Sequence, residues 1–183
     1  MAWHMRSGMI ILTLLLFRIA WGVVGSTTAR FSDFVKGPVE AIAYARSLRG
    51  DTPAASIGHN PLGGWMVVAL LLLLLLQAGT GLFANDDIFT EGPLAHLVSK
   101  ATSDQLTIIH KTNFNVLLVL IAGHIAAALF YLFVKGENLI WPMVTGRKAM
   151  GAEESGLRFR NPLLALVVLA LAAAIVWVIV TQL

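Results

Sequence analysis

The chain has 183 residues, of which 57% are hydrophobic and 13% charged, with a formal charge of +3 and a mean hydropathy of +0.79. A water-soluble globule would need more polar surface. The absence of cysteine excludes disulfides, iron–sulfur clusters, thiolate metal sites and haem attached covalently through C-x-x-C-H, so a cofactor in this protein must be held by nitrogen or oxygen.

Four apolar runs approach or exceed the ~20 residues that cross ~30 Å of hydrocarbon as a helix. Strands are not an alternative, because isolated strands leave backbone groups unpaired in lipid. The expected fold is a single all-α membrane domain, a bundle of four transmembrane helices.

The first run, about residues 8–24, follows His4 and Arg6 and contains Arg18. A cleaved signal peptide over residues 1–25 is the competing reading, with MIILTLLLF as its apolar core. It is disfavoured because it exports four basic residues and leaves Arg18 interrupting that core. The connection that follows, residues 25–61, carries Arg30, Lys36, Arg46 and Arg49. Within it PVEAIAYARSL reads as a short surface helix, and GHNPLGG as a turn whose Pro61 opens the next helix.

The second run, about residues 62–83, includes Gln77, Gly79, Thr80 and Gly81. The loop 84–105 is acidic, with Asp86, Asp87, Glu91 and Asp104 against Lys100, and it also holds His96. After the third run comes a basic connection, residues 135–161, with Lys135, Arg147, Lys148, Arg158 and Arg160; the fourth run, about residues 162–181, has no ionisable side chain and is assigned to packing or anchoring. Charge asymmetry puts loops 25–61 and 135–161 in the cytoplasm, and both termini and loop 84–105 outside. That topology accounts for the basic residues, so nucleic-acid binding has no support.

The third run, about residues 106–134, carries His110 and His124. Fourteen residues advance a helix by ~21 Å and end ~40° short of four full turns, so both imidazoles project from one face, one in each half of the bilayer. Polar groups inside membranes are costly and usually face a bundle interior or a functional site. Neutral imidazole is a good iron ligand and haem is an apolar disc with a polar edge, so two stacked haems would make an electron route across lipid. A proton relay, or histidines that merely bond neighbouring helices, remain alternatives.

A bis-histidine haem needs a second ligand at matching depth. His4 agrees with His110 on the outer side, and Gly8 one turn later leaves room for a porphyrin edge; an exposed terminal residue is the other reading of His4. His124 has no such match: His59, in the turn before the second helix, differs from it in depth and reads as a turn residue or a propionate contact. Asn113 and Asn115 are candidates to orient a ligand or cap a propionate, with hydrogen bonding between helices as the equal alternative, and Arg6 and Arg18 are candidate propionate contacts, with snorkelling as the plainer account of Arg18.

The segments WHMRSGMIILTLLLFRIAWGVVG, GHNPLGGWMVVALLLLLL, the H-x13-H helix and ENLIWPMVTGRK resemble the bacterial cytochrome b-561 and nickel–iron-hydrogenase b-type cytochrome family over most of the chain. The resemblance implies a four- or five-helix cytochrome with two non-covalent b haems, an electron-transfer protein or oxidoreductase subunit of a respiratory chain, working between membrane quinone and a redox protein partner. Carried over, His4 and His110 ligate the outer haem iron and His124 the inner one. Members of that family begin with a further helix whose His-Trp supplies the inner haem's other ligand, and this sequence starts where their second helix should. Either Met1 is internal to a longer protein, or the inner haem is lost, five-coordinate or completed by another subunit. One or two haems, self-association, and the alternatives of a haem-free membrane anchor or assembly subunit and a proton-conducting subunit all stay open at this point.

Overall fold

A computed structural model describes residues 1–48, 58–146 and 156–182. Arg49, Arg147 and Lys148, counted above with the basic loops, lie outside the described residues. In chain order the helices are α1 (Ala2–Val24), α2 (Phe31–Phe34), α3 (Pro38–Ser47), α4 (Pro61–Gly81), α5 (Lys100–Phe133), α6 (Ile140–Thr145) and α7 (Pro162–Gln182), with one-turn 3-10 segments at Thr27–Ala29 and Ala95–Leu97. Among the described residues four helices, α1, α4, α5 and α7, are long and apolar enough to cross a membrane. The chain is an all-α membrane protein.

Two of these helices start earlier than their apolar runs. α1 begins at Ala2, six residues ahead of Gly8, because no breaker interrupts Trp3-His4-Met5-Arg6-Ser7 and the Ser7 hydroxyl donates back to the His4 carbonyl at 2.8 Å. His4 therefore rides on the first helical turn. α5 begins at Lys100, where the Ser99 side chain accepts from the Thr102 N–H and caps the helix. Its 34 residues span ~51 Å at ~1.5 Å each, more than a bilayer's hydrocarbon, so polar turns continue beyond the apolar part. α4 starts at Pro61, capped by Asn60, whose Oδ1 accepts from the Gly63 N–H at 2.7 Å.

The four long helices pack as a row, α7 on α1, α1 on α4 and α4 on α5, while α3 lies along α4. Close approach at Gly64 matters here, because a Cβ there would run into the Phe34 backbone. With only hydrogen at that position the turn holding Phe34 lies directly on α4.

Hydrogen bonds weld the loops to the helix ends. At one end Asn85 donates through its backbone to Thr107 Oγ1 (3.0 Å) and through its side chain to Ser103 Oγ (2.6 Å) and Asp104 Oδ1 (2.9 Å). Lys100 is paired with both Asp87 and Asp104. Asp86 accepts from the backbone N–H groups of Ile88, Phe89 and Thr90 at 3.0, 2.9 and 2.8 Å, which holds its carboxyl well below the usual range. Asp87 takes the left-handed conformation, φ +62°, that Asp tolerates better than most residues.

At the opposite end Thr27 and Arg158 exchange bonds, the Thr27 N–H to the Arg158 carbonyl at 3.1 Å and the Arg158 N–H to Thr27 Oγ1 at 3.0 Å. The Arg160 N–H donates to Ser26 Oγ at 3.1 Å. Both basic connections thus meet on one side of the bundle. Tyr44 and Tyr131 share a hydrogen bond of 2.8 Å there, and Asn60 Nδ2 donates to Tyr131 Oη at 3.2 Å.

Asn60 therefore both caps α4 and ties it to α5. Asn60→Ala should cost about 1–2 kcal/mol and lower the unfolding midpoint measured by circular dichroism in detergent, whereas Asn60→Asp, which keeps the capping oxygen, should recover most of the loss.

Candidate functional site

The less exposed residues of α5 fall on one stripe: Ser103, Thr107, His110, Asn113, Leu117, His124 and Tyr131, spaced mostly by three or four residues. Residues between them, such as Ile108, Val119 and Ile125, are exposed. His110 and His124 share this stripe, as fourteen residues at ~100° per residue require. The stripe faces α4 and the start of α1.

At one level of the stripe two imidazoles from different helices meet. The rings of His4 and His110 have centroids 6.0 Å apart and planes at 85°. A metal–imidazole bond of ~2 Å on each side, plus the distance from each nitrogen to its ring centre, puts the centroids of two trans imidazoles about 6 Å apart. The two rings thus lie at a separation that would let His4 and His110 hold one iron, once the His110 nitrogen facing the Gln77 side chain is released. A haem held there would need only two nitrogens from the chain, which His4 and His110 would supply.

The surroundings of His110 are specific. Its Nδ1 lies 2.9 Å from the Gln77 carbonyl and 3.3 Å from Thr80 Oγ1, and its Nε2 lies 3.1 Å from Gln77 Nε2. Asn113, one turn further along, donates to the Leu73 carbonyl at 3.0 Å and to Gln77 Oε1 at 2.7 Å. A Cβ at position 81 would stand 2.9 Å from His110 Cε1, so the ring occupies space that exists because residue 81 is glycine. At Gly8 an added Cβ would meet nothing within 4 Å, so the space one turn after His4 is open.

At the other level His59 feels the charges of both Arg18 and His124. His59 stacks on Phe34, ring centroids 4.9 Å apart, and its buried Nδ1 has no hydrogen-bond partner. Burial pushes the His59 imidazole below its ordinary pKa, and the Arg18 guanidinium and then His124 add to the shift. Arg18 Nη1 donates to the Ala29 carbonyl at 3.1 Å, and the guanidinium lies 5.2 Å and 5.6 Å from the centroids of Phe31 and Phe34.

Other candidates lie elsewhere. Asn115 is exposed and off the stripe, and Asn113 holds the buried position two residues earlier. Arg6 lies over Trp3 at 5.4 Å, at the start of α1. His96 is in the Ala95–Leu97 turn of the loop between α4 and α5. Sequence reading gave Gln77 and Thr80 no role at the imidazole, although polar side chains inside the leucine run of α4 were the signal available.

A family model described as prokaryotic cytochrome b561 matches residues 1–146, a span that takes in α1 to α6 and every histidine. The chain belongs to the prokaryotic cytochrome b561 family. No curated protein and no solved structure matches the chain. Cytochromes of this family carry electrons across membranes through b-type haem, and the residues present fit that group: two imidazoles 6.0 Å apart that would hold one iron, open space beside His4 at Gly8, and an orphaned buried His59 nitrogen. α7 lies beyond the matched span.

The lowered His59 pKa has a stability consequence. A group that binds protons less readily when folded contributes stability above its ordinary value of 6.5, and that contribution is lost as pH falls below it. The unfolding midpoint of the cytochrome should therefore drop between about pH 7.5 and about pH 5.5, and His59→Leu should flatten that dependence.

Proposed function

We propose that the protein passes electrons between membrane quinone and a redox protein partner through b-type haem ligated by His4 and His110 near the outer surface, with His124 as a ligand at the inner level. The observation that carries this reading is the approach of the His4 and His110 rings, brought together from two helices that begin far apart in sequence. Haem, when bound, supplies the one-electron chemistry; the chain supplies axial nitrogens, orientation and an apolar surround that sets the potential.

At the inner level we assign His59 and Arg18 to a haem propionate. The unpartnered His59 Nδ1 needs a polar partner, and a guanidinium beside it adds the positive charge that a carboxylate seeks. The two levels are ~21 Å apart along α5, so centres at both would relay electrons over most of the bilayer. By the positive-inside rule, the side where Thr27 meets Arg158 is cytoplasmic and the acidic loop is external.

Reduction with dithionite should produce a reversible b-type absorption band in the purified protein, and a colourless protein would defeat the reading in favour of a haem-free anchor. His110→Ala should abolish the outer haem signal while His96→Ala leaves the spectrum unchanged. Equal losses in the two variants would mean that the ligand assignment is mistaken.

A further inference from the structure

The contacts between α4 and α5 fix which nitrogen of His110 carries the proton. A main-chain carbonyl can only accept a hydrogen bond. Asn113 faces the Leu73 carbonyl at 3.0 Å, so it must present its NH2 to α4, and the same NH2 reaches Gln77 at 2.7 Å. The Gln77 atom it meets is therefore the oxygen. The other terminus of that amide, an NH2 that can only donate, points at His110 Nε2 at 3.1 Å. Nε2 must then accept, which leaves the proton on Nδ1.

The other side of the ring leads independently to the same result. Nδ1 lies 2.9 Å from the Gln77 carbonyl, again an obligate acceptor, so Nδ1 carries a hydrogen. Thr80 agrees with this, since its hydroxyl hydrogen goes to the Leu76 carbonyl at 2.7 Å, which frees the oxygen to share the Nδ1 proton at 3.3 Å. The ring is thus read from both edges by groups whose donor or acceptor character is not adjustable.

We propose that Gln77, held by Asn113, is a positioning residue that covers the ligating nitrogen of His110 until iron replaces it, while its own main-chain carbonyl holds the ring in the tautomer that iron requires. This rests on His110 being a haem ligand. The lone pair needed by the metal is the one the Gln77 side-chain amide now occupies, so that side chain must turn away when haem enters. The carbonyl contact on Nδ1 can persist, because it lies on the opposite edge of the ring. Gln77 thereby keeps an imidazole in lipid satisfied before loading and does not commit its proton to the wrong nitrogen.

The test uses the full-length protein in detergent, prepared without haem and labelled with 15N-histidine. In the wild type, imidazole 15N shifts should show His110 protonated on Nδ1. Gln77→Leu and Gln77→Met, which keep the carbonyl and remove the amide, should retain that tautomer and take up added haemin about fivefold faster, the factor one net hydrogen bond supplies. Asn113→Leu, which frees the Gln77 side chain, should also speed uptake. A His110 protonated on Nε2 in the wild type, or slower uptake by both Gln77 variants, overturns the proposal. If no variant takes up haemin, including the wild type, the haem reading fails and with it the covering role. The 15N shifts then report separately whether the tautomer was assigned correctly.

Discussion

A nitrogen placed in hydrocarbon must find a hydrogen-bond partner or a metal, and that requirement organises the interface between α4 and α5. Along most of its length α5 presents apolar side chains outward. On the strip facing α4, Ser103, Thr107, His110 and Asn113 each meet a carbonyl, an amide or a hydroxyl from α4 or the loop after it. Helix association in lipid lacks the water-driven term available to soluble proteins, so these directional contacts supply the register between the two helices. The register then decides what His4, arriving from α1, can approach.

The ends of the bundle serve the same purpose by different means. On the acidic side, Asn85 and the Lys100 ion pairs bind the loop to the first turns of α5, so the helix enters the membrane at a fixed rotation. On the basic side, the Thr27–Arg158 exchange joins the connection after α1 to the strand of chain leading into α7, and the Tyr44–Tyr131–Asn60 bonds tie α3, α4 and α5 together. Exposed ion pairs contribute little by themselves. Their effect here is geometric, since a small rotation of α5 would carry both histidines off the shared face.

Much of this was legible from residue order. The four spans follow from hydropathy, and the common face of His110 and His124 follows from helical period, because both depend on local chain geometry alone. The helix ends were less legible: a search for apolar runs passes over Trp3 to Ser7 and Lys100 to Gln105, where polar side chains continue a helix without breaking it. The neighbourhood of His59 was hidden for another reason. Its surroundings depend on segments distant in sequence, since Gly64 lets Phe34 settle on α4 and Phe34 stacks on His59. Likewise Gln77 looked like a stray polar residue, because its meaning lies in which atom of another helix it meets.

The orientation of His110 also bears on how this interface tolerates change over generations. Both fixed points of the relay, at residues 73 and 77, are peptide oxygens, and no ordinary side-chain replacement deletes a peptide oxygen. Leucine codons along α4 can drift widely without disturbing the ring's proton. Position 81 has no such latitude, since even a methyl group there would press against the imidazole.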